Sequence, residues 1–178
     1  RNPISPTSEA YLARLSGIVV GPRAANGVFE ETAFLHPDLG FFVKFPEKWL
    51  HENAPQQIVA VAPDKNAAVV LKAVAKGDDP LEGARVLGKA RKVDLAAKAK
   101  SLTINGLPAA QAVIPAEGKA QIELTWIAHG GLIFQLAAVA STGQLKTFQP
   151  AFDAVAGSFR PLTGHERARI TEKRVRLI

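Results

Sequence analysis

Between Phe41 and Phe45 the chain alternates: Phe41, Val43 and Phe45 fall on one face, Phe42 and Lys44 on the other. A period of two with one apolar side marks a strand that buries a single face. The segment KAQIELTWIAH repeats it, with Ala120, Ile122, Leu124, Trp126 and Ala128 against Gln121, Glu123, Thr125, Ile127 and His129. IVAVAP reads as a short apolar strand and AAVVLKAVAK as a longer one with β-branched centres. LIFQLAAVAS is apolar on both faces, which predicts a central strand covered on both sides. VFEETAFLH includes a further extended segment.

Turn chemistry joins these runs. In HPDLG, Pro37 fixes φ, Asp38 suits a turn position and Gly40 accepts a positive φ, so the strand from Phe41 is one arm of a hairpin. Pro46 stops that strand. Asn105-Gly106, Glu117-Gly118 and Gly130-Gly131 separate consecutive strands and predict an antiparallel meander.

Helical spacing appears in fewer places. SEAYLARL, capped by Thr7 or Ser8, sets Tyr11, Leu12 and Leu15 on one face and ends at Gly17; a short IVV strand and the turn-rich GPRAANG follow. GDDPLEGARVLGK starts a helix, with Asp79 as N-cap, Pro80 at the first helical position and Glu82 in the first turn. VDLAAKAK suits either a continued helix or a strand. TFQPAFDAVAGSF predicts a helix capped by Thr147, with Phe148, Phe152 and Val155 on one face and Gly157 at its end. HERARI reads as one more helical turn and KRVRLI as a last strand. The expected fold is α+β: one antiparallel sheet of about five to seven strands flanked by helices on both sides. Residues 1–30 read as an N-terminal arm and 31–178 as the α+β domain.

Composition narrows the picture. A chain of 178 residues that is 47% hydrophobic can build one real core. The absence of Met predicts a processed chain or, preferably, a fragment of a longer one. The absence of Cys excludes disulfides, thiolate metal ligands and a Cys nucleophile. No apolar run reaches the ~20 residues of a membrane span, and no apolar signal core follows Arg1.

The net charge of +6 is concentrated in two places. Arg85 to Lys100 holds six basic residues and one acid; Arg160 to Arg176 holds six basic residues and two acids. Such clusters attract anionic partners, or simply form a solvated helix face and a charged tail. Arg85, Lys89, Arg91 and Lys92 are the candidate binding cations. Neither segment contains the interleaved aromatics that single-stranded nucleic acid calls for, which argues against a nucleic-acid partner.

Catalytic motifs are scarce. His51-Glu52 begins like His-Glu-x-x-His, but Pro55 stands where the second His is required and opposes a helix. His36, His51, His129 and His165 share no metal-ligand spacing. No dinucleotide, P-loop or Gly-x-Ser-x-Gly pattern occurs. Trp49 and Trp126 read as core residues or, together with His129, as the lining of a groove at one end of the sheet.

The stretch YLARLSGIVVGPRAANGVFEETAFLHPDLGFFVKFPEKW resembles the segment that follows the catalytic domain in bacterial zinc metallopeptidases of the HtpX/BepA-like family. The matching elements are Tyr11 to Gly17, Gly27-Val28, Phe34 to Phe41 and Phe45 to Trp49. The ending FQPAFDAVAGSFRPLTGHERARI is similar to the closing helix and Ser-Phe-Arg-x-Leu segment of that family. Gly-Phe-x-x-x-Phe-Pro-x-x-Trp also resembles the PsbP/Mog1-like fold, an α-β-α sandwich.

The family resemblance implies a non-catalytic C-terminal domain, with the zinc motif upstream of Arg1 and no cofactor in this chain. It implies partners in the parent protease domain or in a protein substrate or envelope component. It also implies a location in the bacterial periplasm or cell envelope. None of the matched positions is catalytic in the family.

Overall fold

Two antiparallel sheets, where the sequence pattern predicts one, organise the chain. The computed structural model describes residues 27–37, 39–53, 57–115, 120–141, 143–166 and 168. The predicted helix at 8–15, the strands at 18–20 and 173–178 and the turn at 117–118 lie outside these residues.

The small sheet has the order β1-β2-β3-β11, formed by Val28–Glu30, Ala33–His36, Phe41–Lys44 and Arg160–Pro161. The main sheet runs β4-β5-β6-β10-β9-β8-β7. Its strands are β4 (Leu50–Asn53), β5 (Ile58–Val61), β6 (Ala67–Lys76), β7 (Lys100–Ile104), β8 (Leu107–Pro115), β9 (Gln121–His129) and β10 (Leu132–Ala140). The division falls where Pro46 ends β3 and Lys48, at φ 69°, swings the chain away, so that β4 starts in a different sheet. β1 lies within the stretch that the sequence assigns to the arm, and it pairs with β2.

β10 sits at the centre, between β6 and β9, as its two apolar faces predict. β7 through β10 form the expected antiparallel meander. At its first turn Asn105 and Gly106 take φ values of 49° and 82°, the left-handed pair of a type I′ hairpin.

Helices cover both faces of the main sheet. α1 (Leu81–Arg91) and the short α2 (Leu95–Lys98) lie on one side. α3 (Leu145–Ser158) and the small sheet lie on the other. The two interior layers differ in composition. Eight of the nine Phe residues lie in or against the layer beneath α3, and Phe41 stacks on Phe159 there at 5.1 Å. The α1 layer is mostly aliphatic, with Val70, Leu87, Leu95, Ile133 and Val139 around the single large ring of Trp126. Burial of such side chains contributes about 1.5–3 kcal/mol each.

Helix ends account for the small differences from the sequence reading. Asp79 caps α1 as expected: its Oδ1 accepts from Leu81 N at 3.0 Å and its carbonyl from Glu82 N at 2.9 Å. The ambiguous VDLAAKAK divides, with Asp94 capping α2 through Ala97 N and β7 beginning at Lys100. α3 begins at Leu145, so Thr147 lies inside the helix and does not cap it. Nor does α3 stop at a left-handed Gly157. Asn105 Nδ2 donates to the carbonyls of Gly157 and Phe159, both at 2.8 Å, and satisfies that end from the neighbouring hairpin.

Candidate functional site

The surface of interest begins in the interior. Trp126 and Gln135 are register partners on β9 and β10, and Gln135 is also the partner of Lys72 on β6. All three side chains are buried. Trp126 Nε1 donates to Gln135 Oε1 at 2.9 Å, which satisfies the indole and fixes its orientation. α1 lies directly on that indole. A Cβ added at Gly83 would overlap Trp126 Cδ1 and stand 2.8 Å from Cγ, so the helix reaches this depth because residue 83 has no side chain. Ala84 and Leu87 then fill the layer on either side.

At the far end of α1 the chain folds sharply back. Lys92 takes the left-handed conformation (φ 57°, ψ 40°) and Val93 N donates to Gly88 O at 2.9 Å, a Schellman-type closure. Gly88 allows this approach, because a Cβ there would overlap the Val93 carbonyl. The return brings α2 alongside α1 and leaves an open depression of about 650 Å³ between them. Val86 and Val93 supply its apolar surface over the buried Leu95, and Arg85, Lys89 and Lys92 line it with Glu82 and Asp94. Val93 is 39% exposed.

These charges are not equivalent. Arg85 bonds to Asp79 and Glu82, and the Glu82 carboxylate is the largest influence raising its pKa. Asp94 is engaged in capping α2. Lys89 and Lys92 enter no ion pair among the described residues. Two lysines outside any described ion pair therefore line a depression with apolar surface. Arg91 belongs to the same helix end but does not line the depression.

The remaining candidates do not assemble into one groove. Trp49 packs in the Phe layer, edge-on to Phe148 at 6.0 Å and to Phe152 at 6.5 Å, whereas Trp126 lies in the opposite layer beneath α1. His129 ends β9 on the Trp49 side of the sheet. Its Nε2 is 2.9 Å from the Gly40 carbonyl, and its ring lies 6.5 Å from Phe134. His129 thus ties the main sheet to the β2–β3 turn. His51 stacks on Phe29 at 4.9 Å, and burial lowers its pKa, which favours the neutral ring. Because His51 and Glu52 are consecutive on strand β4, they point to opposite faces and not along one helix side. No group of three or more His, Asp or Glu residues is placed to hold a metal ion among the described residues.

Other buried polar groups are tied to packing or stand alone. Glu123 accepts from Gln149 Nε2 at 2.7 Å, and desolvation raises its pKa. Thr125 accepts from Gln111 at 3.1 Å. Lys72 Nζ has no hydrogen-bond partner among the described residues, and burial lowers its pKa to about 8.

No family model and no curated protein matches this sequence. Solved structures do. The chain superposes on cyanobacterial PsbP (CyanoP) from Synechocystis sp. PCC 6803 with a TM-score of 0.53 at 12% identity, over 82% of this chain and 95% of that one. The fold is PsbP-like. A crystal structure from Bacteroides thetaiotaomicron gives a TM-score of 0.53 at 17% identity, over 78% of this chain. This chain spans about half the length of that protein, 51%. At these identities the likeness is one of fold. The PsbP-like architecture is the α+β sheet with flanking helices that the hydrophobic pattern predicts, with the small sheet added.

Sequence reasoning reached the cations around the depression but missed its surface. Val93 was the available signal, since an apolar residue just past a left-handed helix end is a normal part of such a closure. A second missed signal is Thr163-x-x-Glu166, a capping box. Thr163 Oγ1 accepts from Glu166 N and Glu166 Oε1 from Thr163 N, each at 3.0 Å. The same carboxylate holds Arg160 through two 2.8 Å bonds.

Proposed function

We propose that this chain is a non-catalytic accessory domain that binds protein, belonging to a bacterial zinc metallopeptidase of the periplasm or cell envelope. It docks on the parent protease domain or holds a substrate or envelope partner. One observation carries the binding role: the depression between α1 and α2 is open, with an apolar surface and two amines outside any described ion pair. Such a surface accepts a segment of another protein, whereas a small-molecule site encloses most of its ligand.

Parentage rests on the sequence resemblance alone. The zinc belongs to the parent's catalytic domain under this reading, and the chain itself carries no cofactor. The coding sequence upstream of Arg1 tests it: a His-Glu-x-x-His motif there supports the parentage, and a reading frame without one overturns it.

Lys89 and Lys92 also favour a second reading, a free-standing module for an anionic ligand or membrane surface. Binding to anionic vesicles that weakens steeply with added salt would select that reading.

A further inference from the structure

We infer that the α1–α2 depression recognises a specific kind of protein segment: an apolar side chain flanked by carboxylates. The inference rests on the protein-binding reading and names the chemistry of the partner. Val86 and Val93 form a concave apolar surface over the buried Leu95, and Lys89 and Lys92 also line it. A concave surface of this size fits a protruding side chain. Glu82 is paired with Arg85, and Asp94 is turned to the backbone of α2, so Lys89 and Lys92 outnumber the one remaining acid of the lining and leave it net positive. Further cations, Lys98 and Lys100, follow in the adjoining chain and extend the positive field.

The same geometry disfavours the other anionic partners. Nucleic acid lacks the apolar anchor, and no aromatic lines the depression on which a base could stack. A bilayer is flat at this scale, so apolar groups set in a concavity do not reach its acyl region. A second copy of the chain carries the same net charge of +6, which opposes its approach.

The platform is also firmly placed. Gly83 on Trp126 sets the height of α1, and the Gly88–Val93 closure sets the position of Val93. Recognition therefore needs little rearrangement of this domain, which limits the entropy cost of binding.

The test is an NMR titration of the full ¹⁵N-labelled chain with three synthetic peptides. The first is acetyl-Gly-Glu-Leu-Glu-Gly-amide, the second replaces Leu by Ser, and the third replaces both Glu by Gln. The expected result is saturable shifts at the amides of Gly88, Val93 and Leu95 with the first peptide, and about tenfold weaker binding of each of the others. The double variant Lys89→Gln/Lys92→Gln should weaken the first peptide by about tenfold while its melting temperature stays within a few degrees of the parent chain.

Three results overturn the inference: equal affinity for the Leu and Ser peptides, shifts that map elsewhere, or an unchanged affinity in the folded double variant. Vesicles of phosphatidylglycerol form a parallel arm, and if they alone produce the Val93 shifts the partner is a membrane surface. None of these outcomes bears on the upstream coding sequence, so failure here is separable from failure of the parentage.

Discussion

Gly83 and Trp126 meet with no room for a methyl group between them: a Cβ on residue 83 would overlap the indole at Cδ1. That contact seats α1, and with it every residue around the candidate surface. Gly83→Ala should therefore destabilise the chain by about 1–3 kcal/mol, even though alanine is the better helix former. Gly157→Ala is the control. It is also helical but has nothing within 4 Å of the added Cβ, so it should be neutral or stabilise by up to about 1 kcal/mol. Urea unfolding of both variants checks the pair.

Lys72 gives a pH dependence with a definite sign. Its folded pKa is about 8, against 10.5 for the free side chain, because burial disfavours the ammonium. Between those values the unfolded chain binds the proton more strongly, so stability rises with pH across that window. Below about pH 8 both states are protonated and the destabilisation is constant. Lys72→Met should stabilise the protein at pH 7, by roughly 2–3 kcal/mol. The advantage should shrink as pH approaches 10.5, which unfolding curves at three pH values would reveal.

Glu166 gives a slope of the same sign in a lower pH window, but here the folded state favours the charged form. The Arg160 guanidinium, then Thr163, hold its carboxyl down at about 2, against 4.5 when free. The stabilisation is present above pH 4.5 and is lost as pH falls toward 2. Arg160 is about one third exposed, so solvent screens the pair. Glu166→Gln should cost on the order of 1 kcal/mol at pH 7, because the variant loses the charged bidentate pair with Arg160 while the Gln amide oxygen can still accept from Thr163 N. At pH 2 the cost should largely disappear.

Asn105 combines two roles that separate by substitution. Asn105→Gly keeps the left-handed turn but removes both bonds to the end of α3, at a cost of about 1–2 kcal/mol. Asn105→Ala also strains the turn and should cost about 1 kcal/mol more. Equal stability of the two variants would show that the backbone conformation contributes nothing.

Much of this fold is legible in the residue pattern. β6 matches AAVVLKAVAK from end to end, β10 is central, and the meander follows from its turn dipeptides. The second sheet was not legible, because it depends on the direction the chain takes at Lys48, a residue type with no preference for positive φ. The end of α3 was misread for a related reason. Its capping groups come from Asn105, more than fifty residues away in sequence. The cations of the candidate surface were visible as a charge run, whereas the concavity exists only once α2 has folded back along α1. Trp49, Trp126 and His129 attracted notice as large or polar side chains, and the sheet separates Trp126 from the other two.

The role proposed for this chain is binding, with the catalytic zinc in a parent domain. The most direct test is to load the purified chain with zinc, pass it through a desalting column, measure bound metal and assay casein hydrolysis. The proposed role predicts no stoichiometric zinc and no cleavage above the protein-free blank. One tightly held zinc per chain together with casein cleavage would contradict it.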